Sequence, residues 1–210
     1  LEFNVKLSGH SSRDTYLLGQ DSNPSDTVCY PAKIMHGHIE LLVRDKVDAI
    51  FAPCLTYNVD EKAGDNHYNC PVVAYYPELL RVNMDILKDV EYLAPFLSVS
   101  DEAELARELS ENLPADLIKA DKSRMLEAVK AGFKKYQKYK EDLYAETERI
   151  IARARELNKK IMVLAGRPYH IDPEINHGIP EMITSYGVAV LTEDSVSHLA
   201  KPDRPLIVSD

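Results

Sequence analysis

Apolar and polar residues alternate along this chain in distinct rhythms, and each rhythm predicts an element. LEFNVKLS (1–8) alternates loosely, with the two-residue period of a strand, so the fold is expected to begin there without preamble. GHSSRDTYLLGQDSNPSDT (9–27) is rich in Ser, Asp, Gly and Asn and predicts a loop with a short helix near Thr15 to Gly19. From Pro31 a helical period takes over, with Ile34, Ile39, Leu42 and Val43 roughly on one face. A proline is tolerated in the first turn because its missing N–H would have no partner there. VDAIFAP (47–53) and PVVAYYP (71–77) are short, nearly unbroken apolar runs, the pattern of strands buried in a parallel sheet. ELLRVNMDILKDV (78–90) returns to helical spacing, and Ser100 stands where an N-cap would start the next helix.

Residues 116–158 form the longest periodic stretch. Met125, Val129, Phe133, Tyr136, Leu143, Ile150, Ala154 and Leu157 keep an apolar stripe, charged residues cover the other faces, and Gly132 is the only glycine. This predicts one long helix of the kind that joins two lobes. KKIMVLAGRP (159–168) then reads as a strand, 176–186 as a helix and GVAVLTED (187–194) as another strand, the start of a second α/β unit. The expected fold class is α/β: two flavodoxin- or Rossmann-like lobes with parallel sheets, joined by a long helix, the second lobe incomplete. The expected domains are a first lobe over 1–100, a helical connector over 101–158 and the start of a second lobe over 159–210. A lobe of two or three strands is incomplete, so the chain is expected to be a fragment of a longer protein.

Composition narrows the function. With 45% hydrophobic and 28% charged residues the chain is globular, and no apolar stretch reaches the roughly 20 residues that span a bilayer. A net charge of -9 argues against nucleic acid and anionic membranes as partners. Three cysteines make a disulfide framework improbable and fit a reducing cytoplasm. Neither G-x-G-x-x-G nor a P-loop occurs, and no Ser-His-Asp or paired-carboxylate signature stands out.

The thiols are the main chemical feature. Cys29 lies just before a helix N-terminus, where the positive dipole end favours thiolate. Cys54 follows a predicted strand and Cys70 enters another. Loops at the carboxyl ends of parallel strands gather on one edge. Cys29 and Cys54 are therefore expected to approach there, with Cys70 near the same mouth. Residue chemistry leaves three alternatives: inert buried thiols, a zinc site that adds His67 from the H-x-x-C pair, or an iron–sulfur cluster. Tyr57, Asn58 and Asn69 are candidates to line the mouth. His36 and His38 face different sides of their helix and read as solvated or cap-adjacent. Arg167 and His170 after a strand, and His177 before a helix, are candidates to hold an anion such as a CoA phosphate. Glu193 and Asp194, at a strand end, read as structural.

At PSDTVCYPAKIMHGHI, PCLTYN, DNHYNCPVVAYYPE and GRPYHIDPEINHGI the chain resembles an activase-related domain of large CoA-substrate-specific enzyme activases, relatives of the 2-hydroxyacyl-CoA dehydratases. The resemblance implies α/β lobes whose cysteines hold a [4Fe-4S] cluster, with an ATP-dependent actin-like activator as electron donor and an acyl-CoA as acceptor. It implies that Cys29 and Cys54 are the first and second cluster ligands and that Cys70 is a third. In the dehydratases a further ligand comes from the later lobe, and this chain has no cysteine beyond Cys70.

Overall fold

The computed structural model describes residues 3–62, 64 and 66–200. The elements are α1 (Arg13–Leu18), α2 (Tyr30–Arg44), β1 (Ala49–Phe51), β2 (Cys54–Tyr57), α3 (Pro71–Asn83), β3 (Glu91–Leu93), β4 (Phe96–Ser98), α4 (Glu102–Asn112), α5 (Lys122–Glu156), β5 (Ile161–Leu164), α6 (Ile179–Ser185), β6 (Ala189–Thr192) and α7 (Glu193–Val196). The protein is a mixed helix and strand structure in which every ladder between strands is short and parallel. Contacts divide the described chain into two units that meet at residues 131 and 132, inside α5.

The first unit is built on one interrupted ladder. β1 pairs with β3, and β2 with β4, in the same register on both sides of a gap. The gap is Ala52-Pro53 on one strand facing Ala94-Pro95 on the other. Ala52 N–H donates to Leu93 O at 2.8 Å and Cys54 N–H to Pro95 O at 2.9 Å, so the pairing runs through the step. Pro53 aims its missing N–H away from the partner strand. Pro95 would have returned a rung to Ala52, and having no N–H it breaks the ladder there. At the far end the register shifts between Leu55 and Tyr57, and the Thr56 hydroxyl donates to Leu97 O at 3.1 Å.

α3 is the crossover that makes the pair parallel. PVVAYYP, expected as a strand, is the first half of this helix. Its β-branched and aromatic residues have strand propensity, but Pro71 at the start of a helix and the apolar spacing Ala74, Tyr76, Leu80 decide the outcome. Pro77 lies inside the helix, and its carbonyl accepts from the buried Tyr92 hydroxyl at 2.9 Å. LEFNVKLS is likewise not a strand over its described residues 3–8. Phe3, Val5 and Leu7 are exposed there, and an alternating segment with no ladder partner forms no sheet. The helix after β4 is capped by Asp101 rather than Ser100, its carboxylate accepting from Ala103 N and Glu104 N at 2.9 Å.

The core of the first unit gathers Ala32 and Ile39 from α2, Ile50 from β1, Tyr76 and Leu80 from α3, and Tyr92 and Ala94 from the second strand line. α1 packs on α2 through glycine. A Cβ on Gly37 would stand 1.7 Å from the Thr15 carbonyl oxygen, and one on Gly19 would stand 2.2 Å from Gly37 N.

α5 is one unbroken helix, as its stripe predicts, held along its exposed faces by i,i+3 and i,i+4 pairs such as Lys138–Asp142, Glu146–Arg149 and Arg153–Glu156. The sequence suggested a change of unit near 158. The contacts change earlier because Thr147 and Ala154, on the later half of α5, are buried within the second unit. There β5 pairs with β6 and not with the first ladder, in the register Ile161↔Ala189 to Leu164↔Thr192. Residues 201–210, expected to add little structure, lie outside the described residues.

Substitution tests the helix packing. Gly37→Ala is expected to destabilise the first unit by about 2–4 kcal/mol, because the added methyl meets backbone that cannot yield. Gly132→Ala, which meets open space within a helix, is expected to be neutral or to stabilise by up to about 1 kcal/mol. Urea denaturation of both variants measures the contrast.

Candidate functional site

The carboxyl edge of the first ladder is assembled by two helix starts. Cys29 is the N-cap of α2 (φ -62, ψ 151) and Cys70 is the N-cap of α3 (φ -59, ψ 149). The backbone conformations are nearly the same, each cysteine precedes a proline at N1 or N2, and neither thiol caps its own helix. Both cysteines are exposed.

α2 and α3 each lead into a strand of the parallel ladder, so the two helices point the same way. His36 Nε2 and the Tyr76 hydroxyl lie 3.0 Å apart and tie them together. His36 is seven residues beyond Cys29 and Tyr76 six beyond Cys70, so at about 1.5 Å per residue the two caps are level to within one helical turn. Burial first, and then the charge of the Cys29 thiol, push the Tyr76 phenol up.

The brace itself is buried. His36, expected to be solvated, is 0% exposed. The Ser22 hydroxyl donates to Gly19 O at 3.1 Å, so its oxygen accepts from His36 Nδ1 at 2.8 Å, and Nε2 is left to accept from Tyr76. Burial lowers the His36 pKa to about 4. His38 Nε2 meets Ser11 Oγ at 3.0 Å.

Cys54 does not join the two exposed thiols. It opens β2 in mid-ladder instead of ending a strand, and it is 0% exposed. Burial pushes its thiol up, while the Glu78 backbone N–H donates toward the sulfur. Glu78 lies eight residues beyond Cys70, about 12 Å along α3 from the mouth. Among the described residues no three His, Cys, Asp or Glu side chains are grouped as a metal ion would need them. A cluster held by Cys29, Cys54 and Cys70 together therefore does not fit this arrangement.

The mouth is walled by the loop after β2. Asn58 N–H donates to His67 O and Asn69 N–H to Thr56 O, both at 2.9 Å, so the chain returns as a narrow hairpin directly to Cys70. The Asn69 carboxamide donates to Leu55 O at 3.1 Å, which makes it a brace of this return rather than an open ligand group. The exposed Tyr57 ring packs at 5.6 Å from His67 and 5.0 Å from Tyr68, and the Tyr68 hydroxyl donates to Tyr75.

In the second unit Arg167 and His170 line one shallow cavity with Glu193 and Asp194. The sequence reading left those two carboxylates structural, because strand-end acids carry no motif. His177 is not among the lining residues. It precedes Gly178, the α6 N-cap, whose N–H donates to Asn176 Oδ1 at 2.8 Å.

These features define a protein of mixed helices and short parallel sheets with two exposed thiols, each at a helix start. The family model described as the CoA enzyme activase uncharacterised domain (DUF2229) matches residues 1–196, and the chain belongs to that family. No curated protein and no solved structure matches it. Among the described residues no helix is long and apolar enough to cross a membrane.

Two outcomes check this geometry. In native protein iodoacetamide should modify Cys29 and Cys70, and Cys54 only after unfolding; equal rates at all three would contradict the sealed thiol. His36 has a folded pKa of about 4 against about 6.5 unfolded, so the unfolded chain takes the proton first. Stability should fall by about 3 kcal/mol as pH drops from 6.5 to 4 and then level off for this group. His36→Gln should flatten that slope in denaturation measured across the same range.

Proposed function

We propose that this domain is an accessory module of a CoA enzyme activase and that its first unit offers Cys29 and Cys70 as two ligands of an iron–sulfur centre completed by another polypeptide. The observation that carries this is the matched pair of exposed cysteine N-caps on two parallel, braced helices. Such a centre supplies one-electron transfer when bound. The chain's own residues contribute the thiol positions, the hairpin wall at Tyr57 and His67, and the His36–Tyr76 brace that fixes the spacing. The partner on this reading is an ATP-dependent actin-like activator in the cytoplasm, and the substrate served downstream is an acyl-CoA. Each unit is then the beginning of a flavodoxin-like lobe.

The absence of a three-ligand group among the described residues favours one other reading: a docking or regulatory domain with structural thiols. Anaerobic reconstitution with ferrous iron and sulfide separates the two. With no partner present, two copies can supply four thiols to one cluster. Wild type and Cys54→Ser should then bind iron and sulfide and run as dimers, while Cys29→Ser and Cys70→Ser should lose both properties. A folded wild type that takes up neither iron nor sulfide would establish the docking reading. Iron retained by the Cys29, Cys70 double variant would defeat the thiol-pair assignment.

A further inference from the structure

We infer that Asn69 is the positioning residue of Cys70: its carboxamide clamps the chain to β2 one residue before the thiol and so sets where that thiol stands at the start of α3. The functional meaning of this rests on Cys70 being a ligand, while the position itself is measurable without metal. The clamp begins with an irregularity in β2. The register against β4 shifts there, since Leu55 pairs with Leu97 and Tyr57 already with Ser98. Thr56 is the extra residue, and its hydroxyl donates to Leu97 O at 3.1 Å. A bulge of this kind turns the strand and re-aims its groups. The Thr56 carbonyl accepts from Asn69 N–H at 2.9 Å, and the carbonyl before it, Leu55 O, accepts from the Asn69 carboxamide at 3.1 Å. One residue thus holds two successive carbonyls of the strand.

Any residue but proline can make the backbone bond. The second bond needs a short side chain that ends in an N–H donor, which asparagine has and an ionised aspartate lacks. Directly after the clamp Cys70 takes its N-cap conformation, and its carbonyl accepts from Ala74 N–H at 3.0 Å. A further tie spans the thiol: the hydroxyl of Tyr68, two residues before it, donates to that of Tyr75, five residues after it, at 3.2 Å. Cys70 therefore stands where a strand, a hairpin and a helix are bonded to one another. Cys29 is held differently. The turn before it is closed by the Ser25 and Thr27 hydroxyls, 3.0 Å apart, and the Lys33 ammonium donates to Asp26 O at 2.7 Å. These bonds join that turn to α2 itself, so Cys29 serves as the internal control for Cys70.

Spin labelling of the metal-free full chain tests this. A methanethiosulfonate nitroxide on Cys70 in the Cys29→Ser variant, and on Cys29 in the Cys70→Ser variant, reports the motion of each site by itself, while the sealed Cys54 stays unlabelled. Asn69→Leu keeps the shape of the side chain and removes the donor. It should speed the label on Cys70 severalfold and leave the label on Cys29 unchanged. Asn69→Ser, too short to reach Leu55 O, should act alike. A merely structural role would loosen both sites and open Cys54 to the reagent. Equal changes at Cys29 and Cys70, labelling of Cys54 in the variants, or an unmoved Cys70 label would each overturn the assignment. Iron uptake on anaerobic reconstitution is read in parallel. A wild type that takes up no iron, with a Cys70 label that still responds, would sink the thiol-pair reading and leave the positioning role of Asn69 standing.

Discussion

The first unit depends on two Ala-Pro steps that face each other across a parallel pair. Pro95 cannot return the rung that Ala52 would accept, so the ladder breaks and then resumes. Because it resumes, the strand line does not end at Pro53. Cys54 becomes a mid-ladder residue whose side chain turns into the layer under α3. There burial pushes the Cys54 thiol up and the Glu78 backbone N–H opposes it, while Tyr92 satisfies the carbonyl of Pro77.

The exposed thiols owe their positions to a different constraint. α2 must lie close to α1, which Gly19 and Gly37 permit, and level with α3, which His36 enforces. A buried imidazole is an exacting brace. Each nitrogen has a partner, and the partner on the Nδ1 side is oriented by its own bond to Gly19 O. A fully satisfied buried polar network fixes one arrangement where an apolar contact would allow sliding. Sliding by one turn would move Cys29 about 5 Å along the α2 axis relative to Cys70.

Much of this was legible in the sequence. The α2 start at Tyr30 and Pro31, the unbroken α5 and the β5–α6–β6 order all follow from periodicity and caps. Two of the differences share one cause, which is proline read only as a terminator. Pro53 and Pro77 each end an apolar run in the sequence, and both lie inside the structure that such an ending would close. That single misreading moved Cys54 to a strand end and turned half of α3 into a strand. Ala52-Pro53 and Ala94-Pro95 are visible as a repeated dipeptide, and their identity was the available sign that the two runs pair in register. The buried role of His36 had no such sign, since its partners Ser22 and Tyr76 are 14 and 40 residues away.

The two units use one architecture to present different chemistry, and the difference lies in how the chain returns from strand to helix. After β2 a hydrogen-bonded hairpin brings residue 70 back over Leu55 and Thr56, so the helix starts at the strand end and its N-cap side chain occupies the edge. After β5 the chain instead makes a one-turn 3-10 helix at Pro168–Ile171 and reaches α6 only at Ile179. The helix start is displaced, and the loop side chains Arg167 and His170 take the place that the cap holds in the first unit. Opposite them, the capping box of α7 joins Thr192 to Ser195 and sets Glu193 and Asp194 in the first turn directly after β6. A helix start at the edge presents a capping side chain; a displaced one leaves the edge to the loop's charged side chains. The two connections are nearly equal in length, residues 58–70 after β2 and 165–178 after β5, so the path each takes decides which of the two its ladder offers.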